Sequence, residues 1–179
     1  MIFIANFNNS KNLADIWELY NKYNGTNINF LLDDFDSGKT NWSVPSKAKT
    51  GDIILFMCAK QARNNLGMAT SHIPNDYGQV FLSFVNEQKN LYKKYSGCIL
   101  GYGTVASLPE KEQNGWLADI DNLRQFNIPI SIDAFRDFIS ISRYCSFTYL
   151  SDEQWNRLKR IINQKISIFF RMLICQIYL

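Results

Sequence analysis

Trp42 stands in the segment Asn41-Trp42-Ser43-Val44-Pro45, just ahead of Thr50-Gly51-Asp52 and the apolar run Ile53-Ile54-Leu55-Phe56-Met57-Cys58. A tryptophan among small polar residues, at the mouth of a strand too apolar to face water, offers a flat stacking surface to a planar ligand. That is binding chemistry, with no bond made or broken. Lys47 and Lys49 flank the same turn, while Arg124, Arg136, Arg143, Arg157, Lys159 and Arg160 crowd the C-terminal third. A fold that gathered these cations would present a surface to phosphates. Against this stands the plainer reading of a core tryptophan and a set of solvated surface charges. The polar neighbours of Trp42 tip the balance toward a ligand platform.

Constellations for catalysis are weaker. Ser37-Gly38-Lys39-Thr40 resembles the end of a phosphate loop, but Asp33 stands where the leading glycine belongs and Pro45 forbids the long helix that the motif needs. His72, the one histidine, could pair with a cysteine, yet no oxyanion donors or activating partner accompany either residue. Asp33, Asp34 and Asp36 crowd one turn, and Asp119 and Asp121 share a strand face, with no neighbours that would tune them as acid and base. Cys58, Cys98, Cys145 and Cys175 are far apart in sequence and contain no CxxC pair, which argues against structural zinc. The expectation is a noncatalytic protein that needs no cofactor.

The elements that must position Trp42 follow from pattern. A chain of 179 residues with 46% hydrophobic and 20% charged residues has the size and composition of one soluble domain. Thirteen Phe, nine Tyr and four Trp exceed what such a core obviously needs, so some rings are candidates for a groove. A net charge of +3 allows a polyanionic partner but only through a local patch. The N-terminus turns polar by Asn6 without a basic flank, which predicts neither a signal nor a transit peptide; the cytoplasm is the expected compartment, with free thiols.

Ile2 to Phe7 reads as a strand, Ser10 to Tyr23 as a helix ended by Gly25, and Asn27 to Leu32 as a further strand before the acidic turn. Ile53 to Cys58 lacks alternation, as expected of a central strand covered on both faces. Val80 to Tyr95 has helical periodicity with Lys89, Lys93 and Lys94 opposite the apolar side. Gly101-Tyr102-Gly103 sits within a strand pattern and predicts a bulge or the close approach of another group. Trp116 to Ile120 is a strand, Ile128-Pro129-Ile130 an extended link, Ser131 the cap of a short helix, and Ser146 to Tyr149 the last strand. Leu150-Ser151-Asp152-Glu153-Gln154-Trp155 combines a capping box with a hydrophobic staple, so a helix starts there. The apolar segment from Ile166 to Leu179 is too short to span a bilayer as a helix.

Taken in order, the Trp42 segment, Lys49-Thr50-Gly51-Asp52 with its strand, Gly101 to Val105, Ile128 to Ser131, and Arg143 through the capping box resemble the EVE domain of the PUA-like superfamily, related more distantly to YTH and ASCH domains. The resemblance runs from about Asn41 to Ile162. It implies an α+β fold, a small bent and mostly antiparallel β-barrel surrounded by helices, with a pocket that holds a base extruded from nucleic acid. By this likeness residues 1–163 form a single domain with an insertion at about 60–96, and residues 164–179 an apolar tail. Trp42 matches the pocket tryptophan, Ser43 its small polar neighbour, and Phe56-Met57-Cys58 the end of the strand at the pocket floor. Tyr102 and Arg143 fall in matching segments. The chain departs from the pattern in the long Lys60 to Ser96 link, in Phe56-Met57 where a tyrosine is usual, and in the tail.

The resemblance implies a module that recognises a flipped, modified base in DNA, in a prokaryotic modification-dependent restriction or defence setting. Its base-binding residues would be Trp42, Ser43, Phe56, Met57, Cys58 and Tyr102, and its phosphate contacts Lys47, Lys49 and Arg143. The expected partners are nucleic acid, with modified DNA ahead of RNA, and a nuclease or other defence protein; no membrane partner is expected. The alternatives are a protein-interaction or regulatory subunit, whose exposed rings and apolar tail dock a partner, and an RNA-binding PUA-like protein.

Overall fold

The computed structural model describes residues 1–7, 20–21, 35, 37–59, 78–113, 115–142 and 145–177; of residues 7, 89 and 166–177 the backbone alone is described. Among the described residues, seven strands and two long helices make up a mixed α+β structure around one curled sheet. The strands are β1 (Ile2–Phe7), β2 (Thr40–Ser43), β3 (Ile53–Cys58), β4 (Cys98–Val105), β5 (Glu110–Glu112), β6 (Gly115–Ser131) and β7 (Phe147–Tyr149). The helices are α1 (Gly78–Tyr95) and α2 (Asp152–Ile177). The sheet order is β2-β6-β4-β3-β1-β7, with β5 on β6. Among the described strands β1 and β3 pair in parallel, and the other pairings are antiparallel.

The apolar run of β3 is explained by its place between β1 and β4, with both of its faces covered. Ile54 and Phe56 enter a cluster with Phe3, Ala5, Val44, Ala48, Val105, Ala118, Ile120 and Leu123. Leu55 and Met57 enter the opposite one, with Ile4, Ile99, Phe126, Ile130, Phe135, Ile139 and Leu158. Strict alternation along one strand thus feeds two cores. The 3-10 turn Ile132–Ala134 and the start of α2 supply much of the second core, through Ile132, Phe138, Trp155, Ile161 and Ile162.

The curl has identifiable causes. Register shifts fall between Phe56 and Met57 on β3 and, on the β4–β6 pair, between Ile99 and Gly101 and between Tyr102 and Thr104. Bulges of this kind increase local twist. On β6 the last shift lies at Asn122, which has φ 54°, a conformation that asparagine tolerates better than most residues. The half of β6 before that point pairs with β2, with β5 and with the end of β4 through Thr104 and Val105, and the half after it pairs with the rest of β4. Trp116 to Ile120 and Ile128 to Ile130, which the sequence pattern presents as a strand and an extended link, belong to one 17-residue strand, Gly115–Ser131. Pro129 fits within it because only one edge of that half is paired among the described residues.

The sequence-predicted capping box forms: the Ser151 N–H donates to Gln154 Oε1 at 2.9 Å, and the Gln154 N–H to Ser151 Oγ at 3.2 Å. Ser131 likewise caps the 3-10 turn, accepting from the Asp133 N–H at 3.3 Å. The backbone of α2 continues as helix past residue 163 to Ile177, so it crosses the expected start of the tail. Most of the expected helix from Ser10 to Tyr23, the strand Asn27 to Leu32, and the first 18 residues of the 60–96 insertion lie outside the described residues. Of the insertion, α1 is described; it buries Phe81, Phe84, Val85, Gln88 and Tyr92. No described helix is long and apolar enough to cross a membrane.

Candidate functional site

Trp42 lies on β2, an edge strand among the described residues, directly across from Ala118 of β6. The pairing turns Thr40 and Trp42 inward with Ile120 and Ala118, and Asn41 and Ser43 to the other face with Asp119 and Leu117. The indole is half-buried. It meets the Phe56 ring edge to face, with centroids 5.2 Å apart and planes at 89°. Phe56 in turn meets Phe35 at 5.6 Å and 84°. Three rings therefore run in series at the open margin of the first core, with Phe56 fixed in the middle and Trp42 at the rim.

Phe35 was not among the sequence candidates. An apolar ring inside Asp33-Asp34-Phe35-Asp36 was the available signal, because a phenylalanine in an acidic turn must find cover elsewhere. Its seat is Gly101, where an added Cβ would run into the Phe35 ring and the Arg124 carbonyl oxygen. The close approach expected at the paired glycines is made by this ring at Gly101, and by Ile120 and Leu123 at Gly103.

The remaining candidates are distributed over both faces of the sheet. Phe56 joins Trp42, whereas Ser43 projects to the opposite face and is exposed. Met57 is buried in the second core. Tyr102 pairs across from Leu55 and Arg124, is 38% exposed, and leans on Phe126 of the second core at 5.8 Å. It therefore does not face Trp42. Cys58 is fully buried at the end of β3. Arg143 lies outside the described residues, as do His72, Asp33, Asp34 and Asp36.

The cation-bearing turn beside Trp42 is rigidly built. Asp52 is buried; its carboxylate pairs with the Met1 ammonium group and accepts the Lys49 N–H at 2.8 Å. The Asp52 N–H donates back to the Lys49 carbonyl at 3.0 Å, and the Ala48 N–H to the Pro45 carbonyl at 2.9 Å. Lys47 and Lys49 are exposed on this turn, and Lys47 Nζ sits 4.5 Å from the centroid of the Tyr149 ring. Lys39 reaches Asp121 at 3.8 Å. The C-terminal cations have other neighbours. Arg136 pairs with Asp133 at 3.1 Å, and Arg157 and Lys159 lie over Phe138 and Trp155, rings that pack on the second core.

Ser37-Gly38-Lys39-Thr40 enters strand β2 and no helix, so the likeness to a phosphate loop ends there. Asp119 accepts a hydrogen bond from Asn41 Nδ2 at 3.2 Å, and Asp121 has Lys39, so the two acids serve separate partners. Burial pushes the Cys58 thiol up to about 12, with Cys98 adding to the effect. Burial also raises Cys98, opposed by Lys165 and assisted by Asp133. Neither thiol is a poised nucleophile. Among the described residues no group of three or more His, Cys, Asp or Glu side chains is placed to hold a metal ion.

No family model matches the chain, and no curated protein matches it. Among solved structures it is similar to the protein Atu2648 from Agrobacterium tumefaciens, known from an X-ray crystal structure, with 10% identity and a TM-score of 0.43 over 90% of this chain and 92% of that one. At that distance the likeness assigns neither a family nor a function.

Proposed function

We propose that this chain is a noncatalytic nucleic-acid-binding module of PUA-like architecture that receives a flipped, modified base of DNA against Trp42. The observation that carries the reading is the state of that indole: half-buried on β2 and braced edge to face by the buried Phe56. A platform for a heterocycle needs both exposure and support, and a ring sealed in the core would lack the first. The exposed Lys47 and Lys49, on a turn fixed by Asp52, are suited to phosphate contacts beside the stacked base. The succession of segments that resembles an EVE domain supports the same reading, and in it Phe56 serves as the brace behind Trp42.

The test is binding to duplexes that carry different cytosine and adenine modifications, with matched RNA as competitor. Stacking on one aromatic ring contributes about 1 to 3 kcal/mol in single-strand binders. Trp42→Ala should therefore weaken binding to the preferred duplex by about 10- to 100-fold. Because the ring is half-buried, thermal unfolding is measured alongside. A variant that folds cooperatively and binds as well as the parent would sink the proposal, as would a parent that binds no modified duplex. Stronger competition by the RNA strand would move the reading to RNA, where the 2′-hydroxyl is recognised.

A further inference from the structure

We propose that Cys58 and Cys98 form a two-coordinate dithiolate site for a soft monovalent cation of the copper(I) class. The two residues are remote in sequence but lie together where β3 ends and β4 begins. The last registered pair of that ladder is Met57 across from Ile99, and Cys58 and Cys98 are the next residues along the two strands. The Gly97 N–H donates to the Cys58 carbonyl at 2.7 Å, which holds the strands together at this point. Met57 and Ile99 both point into the second core, so alternation sends both cysteine side chains to the other face. The electrostatic influence of Cys98 on the Cys58 thiol agrees with that proximity.

The geometry favours a bridging ion over a direct bond. Residues directly opposite on antiparallel strands have Cβ atoms about 4.5 to 5.5 Å apart, whereas a relaxed disulfide requires about 3.5 to 4.5 Å. Two metal–thiolate bonds of about 2.3 Å each can span a sulfur–sulfur gap of up to about 4.6 Å. Both cysteines are free thiols. Thiolates select soft ions, and a pair without a third or fourth ligand suits an ion that accepts linear coordination.

Charge is accommodated as well. Binding replaces two thiol protons by one monovalent ion, which leaves a bis-thiolate complex of net charge −1 and releases two protons to solvent. Burial is the larger influence on Cys98 and disfavours its thiolate, and the Lys165 ammonium group works against that influence. Asp133 acts in the opposite direction, but its carboxylate is paired with Arg136 at 3.1 Å. Cys58 is fully buried and Cys98 partly exposed, so the ion would enter from the Cys98 side and be shielded on the Cys58 side.

The experiment uses the full reduced chain, titrated without oxygen against copper(I) held by a chromogenic chelator. One ion per chain should be withdrawn, with absorption by X-rays showing two sulfur neighbours. Cys98→Ser should lower the affinity at least 100-fold, whereas Cys145→Ser and Cys175→Ser should leave it unchanged. Cys58→Ala should match Cys98→Ser where it folds; the partly exposed Cys98 position keeps the test decisive where it does not. A parent chain that withdraws no ion, a Cys98→Ser variant that binds like the parent, or a loss that follows Cys145 or Cys175 overturns the site. These outcomes do not depend on nucleic-acid binding.

Discussion

Across β3, Ile54 and Phe56 turn toward one core while Leu55 and Met57 turn toward the other, and the two cores are closed in different ways. The second is capped by a 3-10 turn and the first turns of α2, which bring Phe135, Ile139 and Leu158 to zero or near-zero exposure. The first, among the described residues, is bordered by the turn through Val44 and Ala48 and by Phe35, Trp42 and Phe147, all three of them only partly buried. A helix lays a continuous apolar stripe on the part of the sheet face that it crosses and seals it there. A turn and a row of rings leave a margin. The difference teaches where to look for binding on this sheet: at the rim of the face that α2 does not cover.

The sharpest way to break that comparison is to excavate the sealed side. Leu158 has no exposed surface and sits on α2 against the second core. Leu158→Ala should cost about 3 kcal/mol, within the range for buried leucines that leave a cavity. Urea unfolding measures it. A loss below about 1 kcal/mol would mean that α2 covers the face loosely, and the contrast between the two cores would disappear.

A smaller effect is expected where the open side is fitted to the backbone. Gly101→Ala adds a methyl group that meets both the Arg124 carbonyl oxygen and the Phe35 ring, one of them unable to yield without moving the β4–β6 pairing. Overpacking of this kind costs about 1 to 3 kcal/mol. Pairing Gly101→Ala with Phe35→Ala should recover part of the loss, since only the ring contact is relieved. Full tolerance of Gly101→Ala by itself would show that Phe35 is not seated there, and the series of three rings would be reduced to two.

Much of this architecture was legible in the sequence, and the limits have physical causes. The run from Ile53 to Cys58 announced a doubly covered strand because no solvent-facing position interrupts it. The capping box fixed the start of α2 because its residues act over only three positions. Trp42 and Phe56 are in contact, whereas Ser43, Met57 and Tyr102 stand beside them only in sequence position and motif order. Alternation alone separates Ser43 from Trp42 and Met57 from Phe56 once β2 and β3 are strands. Tyr102 required the register of β4, which the bulges around it shift. Phe35 and the pairing of Asp52 with the chain's first residue depend on contacts across more than fifty positions, and no local pattern encodes those.

The smallest effect tests whether the cover of the sealed face is held at its end or along its length. Ser151 is exposed and its hydroxyl accepts the Gln154 N–H at 3.2 Å, while Gln154 Nε2 donates to the Phe138 carbonyl at 2.8 Å and ties α2 to the segment before it. Ser151→Ala removes one acceptor at a helix end that water can reach, so the freed N–H is solvated and not stranded. The cost should be about 1 kcal/mol, a fall in Tm of roughly 2 to 4 °C for a chain of this length. Because Leu158 lies two turns further on, its place in the core that holds Ile4, Leu55 and Phe135 should keep the helix in position without the cap. A fall several times larger would mean that the first turn of α2 positions the whole cover, and that the sealed face is closed from its edge inward.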